Sequence, residues 1–217
     1  MTPTGRAVKR SIDLLTSIGM LALLSLPFLV ILLAIVLDDG RPVFFRQERI
    51  GLRGKPFRVW KFRTMVVGAA TKGLRETVSV DDERITRVGR ILRDWGLDEL
   101  PQLINVLTGE MSLVGPRPTL AYQVAQYNDV QRRRLEAKPG ITSLAVVSGR
   151  NALPWWKRIE LDVWYVDHAS VWLDLRILLR TLWCVLVTRE GLYGEDGTND
   201  PFVPPPGPRT DEEDEGD

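Results

Sequence analysis

The hydrophobic pattern of the chain begins with an uncharged, mostly apolar run from Leu14 to Leu37. At about 1.5 Å per residue, a helix of that length exceeds the roughly 30 Å hydrocarbon core of a bilayer. Pro27, near the middle, removes a backbone donor and predicts a kink, where the Ser25 hydroxyl can donate to a freed carbonyl group. The pattern predicts a membrane-inserted helix over residues 1–40, kinked at Ser25 and Pro27.

Positive residues flank this run on both sides. Arg6, Lys9 and Arg10 precede it. Eight cations follow it, at Arg41, Arg46, Arg49, Arg53, Lys55, Arg58, Lys61 and Arg63. Because positive residues mark the cytoplasmic side of a membrane, a re-entrant helix that enters and leaves by one face fits both flanks. A helix that spans the bilayer is the alternative, and the charges favour re-entry.

Shorter patterns predict the rest of the fold. Residues 41–45 and 57–62 have the composition of strands, and the glycines and proline of 51–56 supply a turn, which together predict a small β-hairpin. Helical patterns then follow in five segments: 84–95, 100–107, 122–137, 155–165 and 171–187. The segment 122–137 is a polar helix with a basic end, whereas the other four carry apolar residues at helical spacing. The sequence therefore predicts a mostly helical α+β fold.

The last two helical segments are amphipathic and rich in tryptophan, arginine and lysine. This composition is typical of helices that lie in the interfacial plane of a membrane, although core packing is the alternative for some of the tryptophans. We expect such interfacial helices around a cytoplasmic catalytic core formed by residues 41–190. The Pro-rich acidic tail over 191–217 has the composition of a disordered segment.

Composition limits the chemistry that the chain can perform. The formal net charge is +1, so bulk electrostatics give no support for nucleic-acid binding. Cys184 is the only cysteine and His168 the only histidine, which excludes a disulfide framework and multi-histidine or cysteine-based metal centres. Any bound metal must therefore take oxygen ligands, as magnesium or manganese does.

The most informative polar residues are two adjacent carboxylates, Asp98 and Glu99, at the predicted start of the helix over 100–107. Pro101 supports that placement, because proline is tolerated in the first turn of a helix. A helix N-terminus favours an ionised carboxylate and also attracts phosphate. An ionised aspartate among phosphate-binding cations indicates nucleophilic or metal-assisted phosphoryl chemistry.

Several residues are candidates to bind phosphate. Arg117 lies between two prolines, which limits its backbone freedom, and its planar guanidinium suits phosphate oxygens; a rigid turn with a solvent-facing arginine is the alternative. Weaker candidates, each equally explained as a surface cation, are Arg93, Lys61 and Arg63. Arg150 and Asn151 either contact a nucleotide or close a loop.

A series of short motifs runs in order from about Val8 to about Gly191. The series comprises Lys9-Arg10-x-x-Asp13, Pro42-Val43-Phe44-Phe45, Lys61-Phe62-Arg63-Thr64-Met65, Leu97-Asp98-Glu99-Leu100-Pro101, Gly115-Pro116-Arg117-Pro118, Lys138-Pro139-Gly140-Ile141-Thr142 and Gly149-Arg150-Asn151. With this series the chain resembles the bacterial sugar transferase family, the small monotopic phosphoglycosyl transferases that act on polyprenyl phosphate. Two departures are Leu26, which separates Ser25 from Pro27, and Ser148 in place of an asparagine.

The resemblance implies transfer of sugar-1-phosphate from a UDP-sugar to undecaprenyl phosphate with release of UMP, the first membrane step of envelope polysaccharide or glycoconjugate synthesis. It implies that Asp98 attacks the phosphate next to the sugar and that Glu99 helps to position Mg²⁺. The implied location is the cytoplasmic face of the bacterial cell membrane, with inner-membrane lipid as a partner and a homo-oligomer as a candidate assembly. Unlike for the larger members of the family, no additional membrane helices or nucleotide-binding domain are expected before the core.

Three hypotheses stay open on the sequence. The first is a two-step transfer through a phosphosugar on Asp98. The second keeps the reaction but makes both acids metal ligands, with direct attack by the lipid phosphate. The third is a non-enzymatic scaffold whose basic surface binds anionic lipid or partner proteins. The motifs do not identify the transferred sugar.

Overall fold

The computed structural model describes residues 1–69, 82–149 and 152–188. Within these residues the fold is mostly helical with two small sheets, as predicted for an α+β protein. The helices are α1 (Pro3–Leu23), α2 (Ser25–Asp39), α3 (Arg87–Asp94), α4 (Gln102–Thr108), α5 (Ala121–Ala125), α6 (Asp129–Arg132), α7 (Leu144–Val147), α8 (Trp155–His168) and α9 (Val171–Trp183). The strands are β1 (Phe44–Ile50), β2 (Pro56–Phe62), β3 (Ser112–Val114) and β4 (Gly140–Thr142).

The apolar N-terminal run forms two helices that meet at an angle of 61°. Over the described ranges, none of the individual helices has the length and hydropathy to cross a bilayer, whereas α1 and α2 taken together do. The break lies at Leu24, whose N–H donates to the Met20 carbonyl oxygen at 2.8 Å. Pro27 falls in the first turn of α2, where its missing N–H costs little. Ser25 is exposed, and the described residues provide its hydroxyl with no hydrogen bond, which differs from its predicted role at the kink.

The predicted β-hairpin is confirmed. Strands β1 and β2 pair antiparallel with Phe44 opposite Phe62, and β1 begins three residues later than the predicted strand and extends to Ile50. The Phe62 ring contacts Phe28 of α2 at 5.1 Å and stacks on Phe44 at 5.6 Å, measured between ring centroids. These contacts bury the start of α2 against the end of the hairpin that precedes Arg63.

Helix α4 is held against the hairpin by a fully buried side chain, Asn105. Its Oδ1 accepts from the Trp60 N–H at 3.0 Å, and its Nδ2 donates to the Arg58 carbonyl oxygen at 2.8 Å. Val59 and Val106 pack in the same core cluster. Because Lys61 directly follows Trp60 on the strand, this contact fixes the lysine relative to the residues before α4.

Helix α1 packs against the rest of the protein through buried polar contacts. The buried Asp13 carboxylate accepts from the Ser112 hydroxyl at 2.8 Å and from the Leu113 N–H at 3.0 Å. Lys9 Nζ donates to the Val114 carbonyl oxygen at 2.9 Å and pairs with Asp174 of α9 at 2.7 Å. The division of the chain at residue 40 stays a prediction, and these contacts tie its two sides together.

The predicted single helix over 122–137 was wrong. The segment forms α5, α6 and a 3-10 turn over Arg133–Glu136. A reciprocal cap starts α6: Asn128 Oδ1 accepts from the Gln131 N–H at 2.9 Å, and Gln131 Oε1 accepts from the Asn128 N–H at 3.0 Å. Helix α5 ends at Ala125, and this cap begins a separate helix at Asp129.

The other predicted helices are present with different ends. The helix predicted over 84–95 begins only at Arg87, because the Thr86 hydroxyl caps it by accepting from the Gly89 N–H at 2.9 Å. The helix predicted over 171–187 is α9 followed by a π-helical turn over Cys184–Thr188. The predicted tail over 191–217 lies outside the described residues.

Candidate active site

Asp98 and Glu99 lie in a 3-10 turn over Leu97–Glu99 that connects α3 to α4. Gly96 ends α3 in the left-handed region, with φ of 66°, and turns the chain toward the acids. The acids therefore lie just before a helix, as predicted, but in a 3-10 turn, and α4 itself starts at Gln102 rather than at Leu100. The charges that surround the pair come from side chains rather than from a helix N-terminus.

Glu99 is anchored by two cations from different segments. Its Oε1 contacts Lys61 Nζ at 2.7 Å and Arg117 Nη2 at 2.8 Å, and its Oε2 accepts from Arg117 Nη1 at 3.3 Å. Its side chain is 15% exposed. Burial alone would raise the pKa of Glu99, but Arg117 and Lys61 outweigh that effect and hold this pKa well below its usual range. Glu99 is therefore a fixed anion.

Asp98 has weaker contacts with cations than Glu99 has. Its side chain is 13% exposed, and its Oδ2 lies 3.7 Å from Lys61 Nζ. Across residues 1–69, 82–149 and 152–188, no group donates a hydrogen bond to this carboxylate. Burial raises the pKa of Asp98 against the opposing charge of Lys61, and the neighbouring Glu99 raises it further. An anion with so little stabilisation is a better nucleophile than its neighbour.

The other predicted phosphate ligands divide between this site and the scaffold. Arg93 lies near the acids, where its charge lowers the pKa of Asp98, and its Nε donates to the Thr64 hydroxyl at 2.9 Å. Arg63 is buried at the end of α2: its Nη1 pairs with Asp39 at 3.0 Å and its Nη2 donates to the Gly40 carbonyl oxygen at 2.7 Å. That placement gives Arg63 a structural role. Arg150 and Asn151 lie outside the described residues.

Among the cations of this site, Arg117 is the most exposed to solvent. Its side chain is 47% exposed, and its guanidinium contacts Glu99. A guanidinium carries more N–H donors than the two that Glu99 accepts, so Arg117 can also bind the oxygens of a ligand. The site thus joins a weakly stabilised carboxylate, a fixed carboxylate and at least three cations. That set suits attack on phosphorus and neutralisation of phosphate charge.

Carboxylate oxygens are the donors that Mg²⁺ prefers, and Mg²⁺ commonly uses only one or two protein carboxylates together with substrate phosphates. Asp98 and Glu99 fit that donor set. The described part of the chain has no group of three or more metal-binding side chains that would form a complete protein cage. Both Glu99 oxygens already contact cations, so a metal at Glu99 requires Lys61 or Arg117 to shift.

Arg134 and Asp162 lie behind Arg117 and were not predicted from the sequence. Arg134 pairs with Asp162 and donates to the Arg117 carbonyl oxygen at 2.9 Å. In the sequence Arg134 is one of three consecutive arginines, and nothing in the spacing distinguishes it from its exposed neighbours. Its partner lies on α8, and only the folded chain brings the two together.

With this fold and site, the chain belongs to the bacterial sugar transferase family, which it matches over residues 4–188. It is 49% identical over 185 residues to the uncharacterized sugar transferase EpsL of Bacillus subtilis, covering 85% of this chain and 90% of EpsL. It is 40% identical to the undecaprenyl-phosphate galactose phosphotransferase of Salmonella typhimurium, covering 88% of this chain and 42% of that protein.

A third relative is the UDP-glucose:undecaprenyl-phosphate glucose-1-phosphate transferase of Escherichia coli, which is 40% identical over 84% of this chain. The chain spans 41% of that protein's length. It therefore corresponds to nearly the whole of EpsL and to less than half of the other two relatives.

Proposed function

We propose that the protein transfers a sugar-1-phosphate from a UDP-sugar to undecaprenyl phosphate and releases UMP. The names of the Salmonella and Escherichia relatives support this reaction, and one names galactose where the other names glucose, so the class of donor is proposed without a particular sugar. The observation that carries the proposal is the Asp98 carboxylate, buried without a hydrogen-bond donor within the described ranges, beside the fixed anion Glu99. We place the reaction at the start of envelope polysaccharide or glycoconjugate synthesis.

The proposed mechanism has two displacements at one phosphorus atom. In the first, an Asp98 oxygen attacks the phosphorus next to the sugar, and the bond to the UMP oxygen breaks with its electron pair leaving on UMP. The sugar phosphate is then joined to Asp98. In the second, an oxygen of undecaprenyl phosphate attacks the same phosphorus, and the bond to Asp98 breaks. The carboxylate is regenerated and the lipid carries the sugar diphosphate.

Lys61 and Arg117 support both displacements in this proposal. Each contacts Glu99, so each lies in the site before substrate arrives and can stabilise the charge that develops on the phosphate oxygens. We propose that Glu99 holds Mg²⁺ together with the substrate diphosphate when the metal is present. The metal would neutralise diphosphate charge and so assist departure of UMP.

We infer that α1 and α2 form a re-entrant, monotopic membrane anchor at the cytoplasmic face. The bend between them supports this, as does the exposure of large apolar residues along both helices. Tryptophans on α8 and α9 are also exposed, including Trp164, Trp172 and Trp183. Exposed tryptophan beside arginine favours an interfacial position for these helices over core packing. Inner-membrane lipid is thus a proposed partner.

Single-cysteine labelling tests this topology. In a Cys184→Ser background, Thr4→Cys and Lys55→Cys place thiols at exposed positions on either side of the anchor. We expect a membrane-impermeant maleimide to label both from the cytoplasmic side, because a re-entrant helix returns its ends to one face. Leu23→Cys, at the bend, should be protected from the same reagent. Labelling of the two exposed thiols from opposite sides would establish a spanning helix instead.

A reaction with donor and no lipid acceptor tests the mechanism. Purified protein should release about one UMP per active site from the correct UDP-sugar and gain the mass of one sugar phosphate. Direct attack by the lipid phosphate predicts no UMP under these conditions. The scaffold hypothesis predicts no turnover of any UDP-sugar even when undecaprenyl phosphate is added.

A further inference from the structure

Arg134 is a buried arginine with no place in the reaction described above. Its side chain is 1% exposed and lies between α8 and the loop that carries Arg117. Its guanidinium forms an ion pair with Asp162, which is 2% exposed, and Nη1 donates to the Tyr127 hydroxyl at 2.5 Å. Nη2 also donates to the backbone carbonyl oxygen of Arg117 at 2.9 Å. One side chain therefore links α8, Tyr127 and the backbone of an active-site residue.

Two further hydrogen bonds hold the same loop. The Tyr127 hydroxyl donates to the Thr119 hydroxyl at 3.2 Å, and the Thr119 carbonyl oxygen accepts from the Ile50 N–H at the end of β1 at 2.8 Å. The backbone from Arg117 to Thr119 is thus fixed from Arg134 on one side and from the hairpin on the other. Lys61 lies on β2 of the same hairpin. The hairpin therefore connects the two cations that contact Glu99, Lys61 and Arg117.

A buried ion pair is a weak explanation for stability, since removing two charges from water costs about as much as their attraction returns. Among the described residues, Arg134 Nε and Asp162 Oδ1 have no hydrogen-bond partner. A well-packed apolar pair would fill this space at lower cost, but it could not bind the Arg117 carbonyl oxygen. The polar network is therefore better explained by its hydrogen bond to the Arg117 backbone, which orients that residue, than by stability.

We propose that Arg134, held by Asp162 and Tyr127, is a positioning residue that orients Arg117 for the phosphates of the donor. The inference rests on the proposed function, because it assigns to Arg117 the donor diphosphate as its ligand. Arg134 is too buried to reach substrate itself. Its effect passes through the Arg117 backbone, so removing the Arg117 side chain must remove the effect.

A double-mutant cycle tests this dependence. Tyr127→Phe removes one hydroxyl and keeps the ring, and we expect it to lower kcat/KM for the UDP-sugar by about 10-fold, the value of a lost hydrogen bond between buried groups. Arg134→Lys keeps the charge beside Asp162 but lacks the planar fork that reaches three partners, so it should lose at least as much. In an Arg117→Ala background, Tyr127→Phe should change kcat/KM by less than about 2-fold.

Arg133→Lys is the matched control. Arg133 precedes Arg134 in the chain and forms an ion pair with Asp167 at the surface, where its side chain is 43% exposed. Its substitution should leave kcat/KM unchanged in both backgrounds, because exposed ion pairs contribute little. If Arg134→Lys does not fold, Tyr127→Phe carries the test alone. Equal effects of Tyr127→Phe with and without the Arg117 side chain would overturn the inference.

The same proteins separate this inference from the proposed function. Affinity for UDP, measured by calorimetry, should fall in Tyr127→Phe. The double variant of Arg117→Ala and Tyr127→Phe should bind UDP no more weakly than Arg117→Ala alone. If the parent protein is active and the effects of Tyr127→Phe and Arg117→Ala on kcat/KM are additive, the positioning role is overturned and the proposed function is not affected. A parent protein that neither turns over any UDP-sugar nor binds UDP overturns both.

Discussion

Asp98→Asn protein is expected to release no UMP in the absence of lipid and to lose at least about 1,000-fold in kcat with donor and acceptor present. An amide oxygen is a poor nucleophile, and its neutral side chain cannot form the acyl phosphate. The adjacent carboxylate is not free to replace Asp98, since both Glu99 oxygens already contact Lys61 or Arg117. UMP quantification and intact-protein mass measure the two losses.

Asp129→Asn is a suitable control for this experiment, because Asp129 is an exposed carboxylate in the first turn of α6, away from the acid pair. It should retain parent activity and still gain one sugar phosphate. Glu99→Gln is also expected to be impaired, so impairment alone does not separate the covalent from the direct mechanism. Asp98→Asn protein that still acquired the sugar-phosphate mass would contradict the assignment of Asp98 as the nucleophile.

Arg117→Ala is expected to lower kcat/KM for the UDP-sugar by about 100-fold, the value of losing a charge-assisted, two-point contact. The substitution removes the guanidinium that contacts both Glu99 oxygens and that has the greatest exposure among the cations of the site. Arg117→Lys should recover only part of the loss, because one ammonium cannot reproduce the two parallel contacts. Initial rates over a range of donor concentrations measure the change.

Arg132→Lys and Arg132→Ala provide the control, because Arg132 is an exposed arginine at the end of α6. Neither should alter kcat/KM beyond the error of the assay. Parent-like kinetics for Arg117→Ala would favour the alternative weighed from the sequence, in which the Pro-Arg-Pro segment is a rigid turn with a solvent-facing arginine.

The parts of the fold that depend on local pattern were predictable from the sequence. The hairpin follows from strand composition around a glycine-rich turn, and the amphipathic helices α8 and α9 follow from apolar spacing. The break of the 122–137 segment at Asn128 was missed because the segment was treated as one polar helix and the cap formed by Asn128 and Gln131 was not recognised. Side-chain caps compete with periodicity over only three residues, so a window of helical length conceals them.

The candidate site was predictable in its acids and only partly in its cations. Asp98, Glu99, Lys61 and Arg117 are brought together as expected. Arg63 looked equivalent to Lys61 in sequence, yet it lies beyond the end of β2 and meets the end of α2, where Asp39 binds it. Arg134 could not be identified, since its burial depends on contact with α8, 28 residues further along the chain.

The contacts of Asp13 and Lys9 have a practical consequence for any attempt to shorten this enzyme by removing the proposed membrane anchor. Deleting α1 would remove the hydrogen-bond acceptor of the buried Ser112 hydroxyl and Leu113 N–H, and it would remove Lys9, which pairs with Asp174. Folding of the core therefore depends on α1, which is part of the proposed membrane anchor, and we expect a shorter expression product to aggregate.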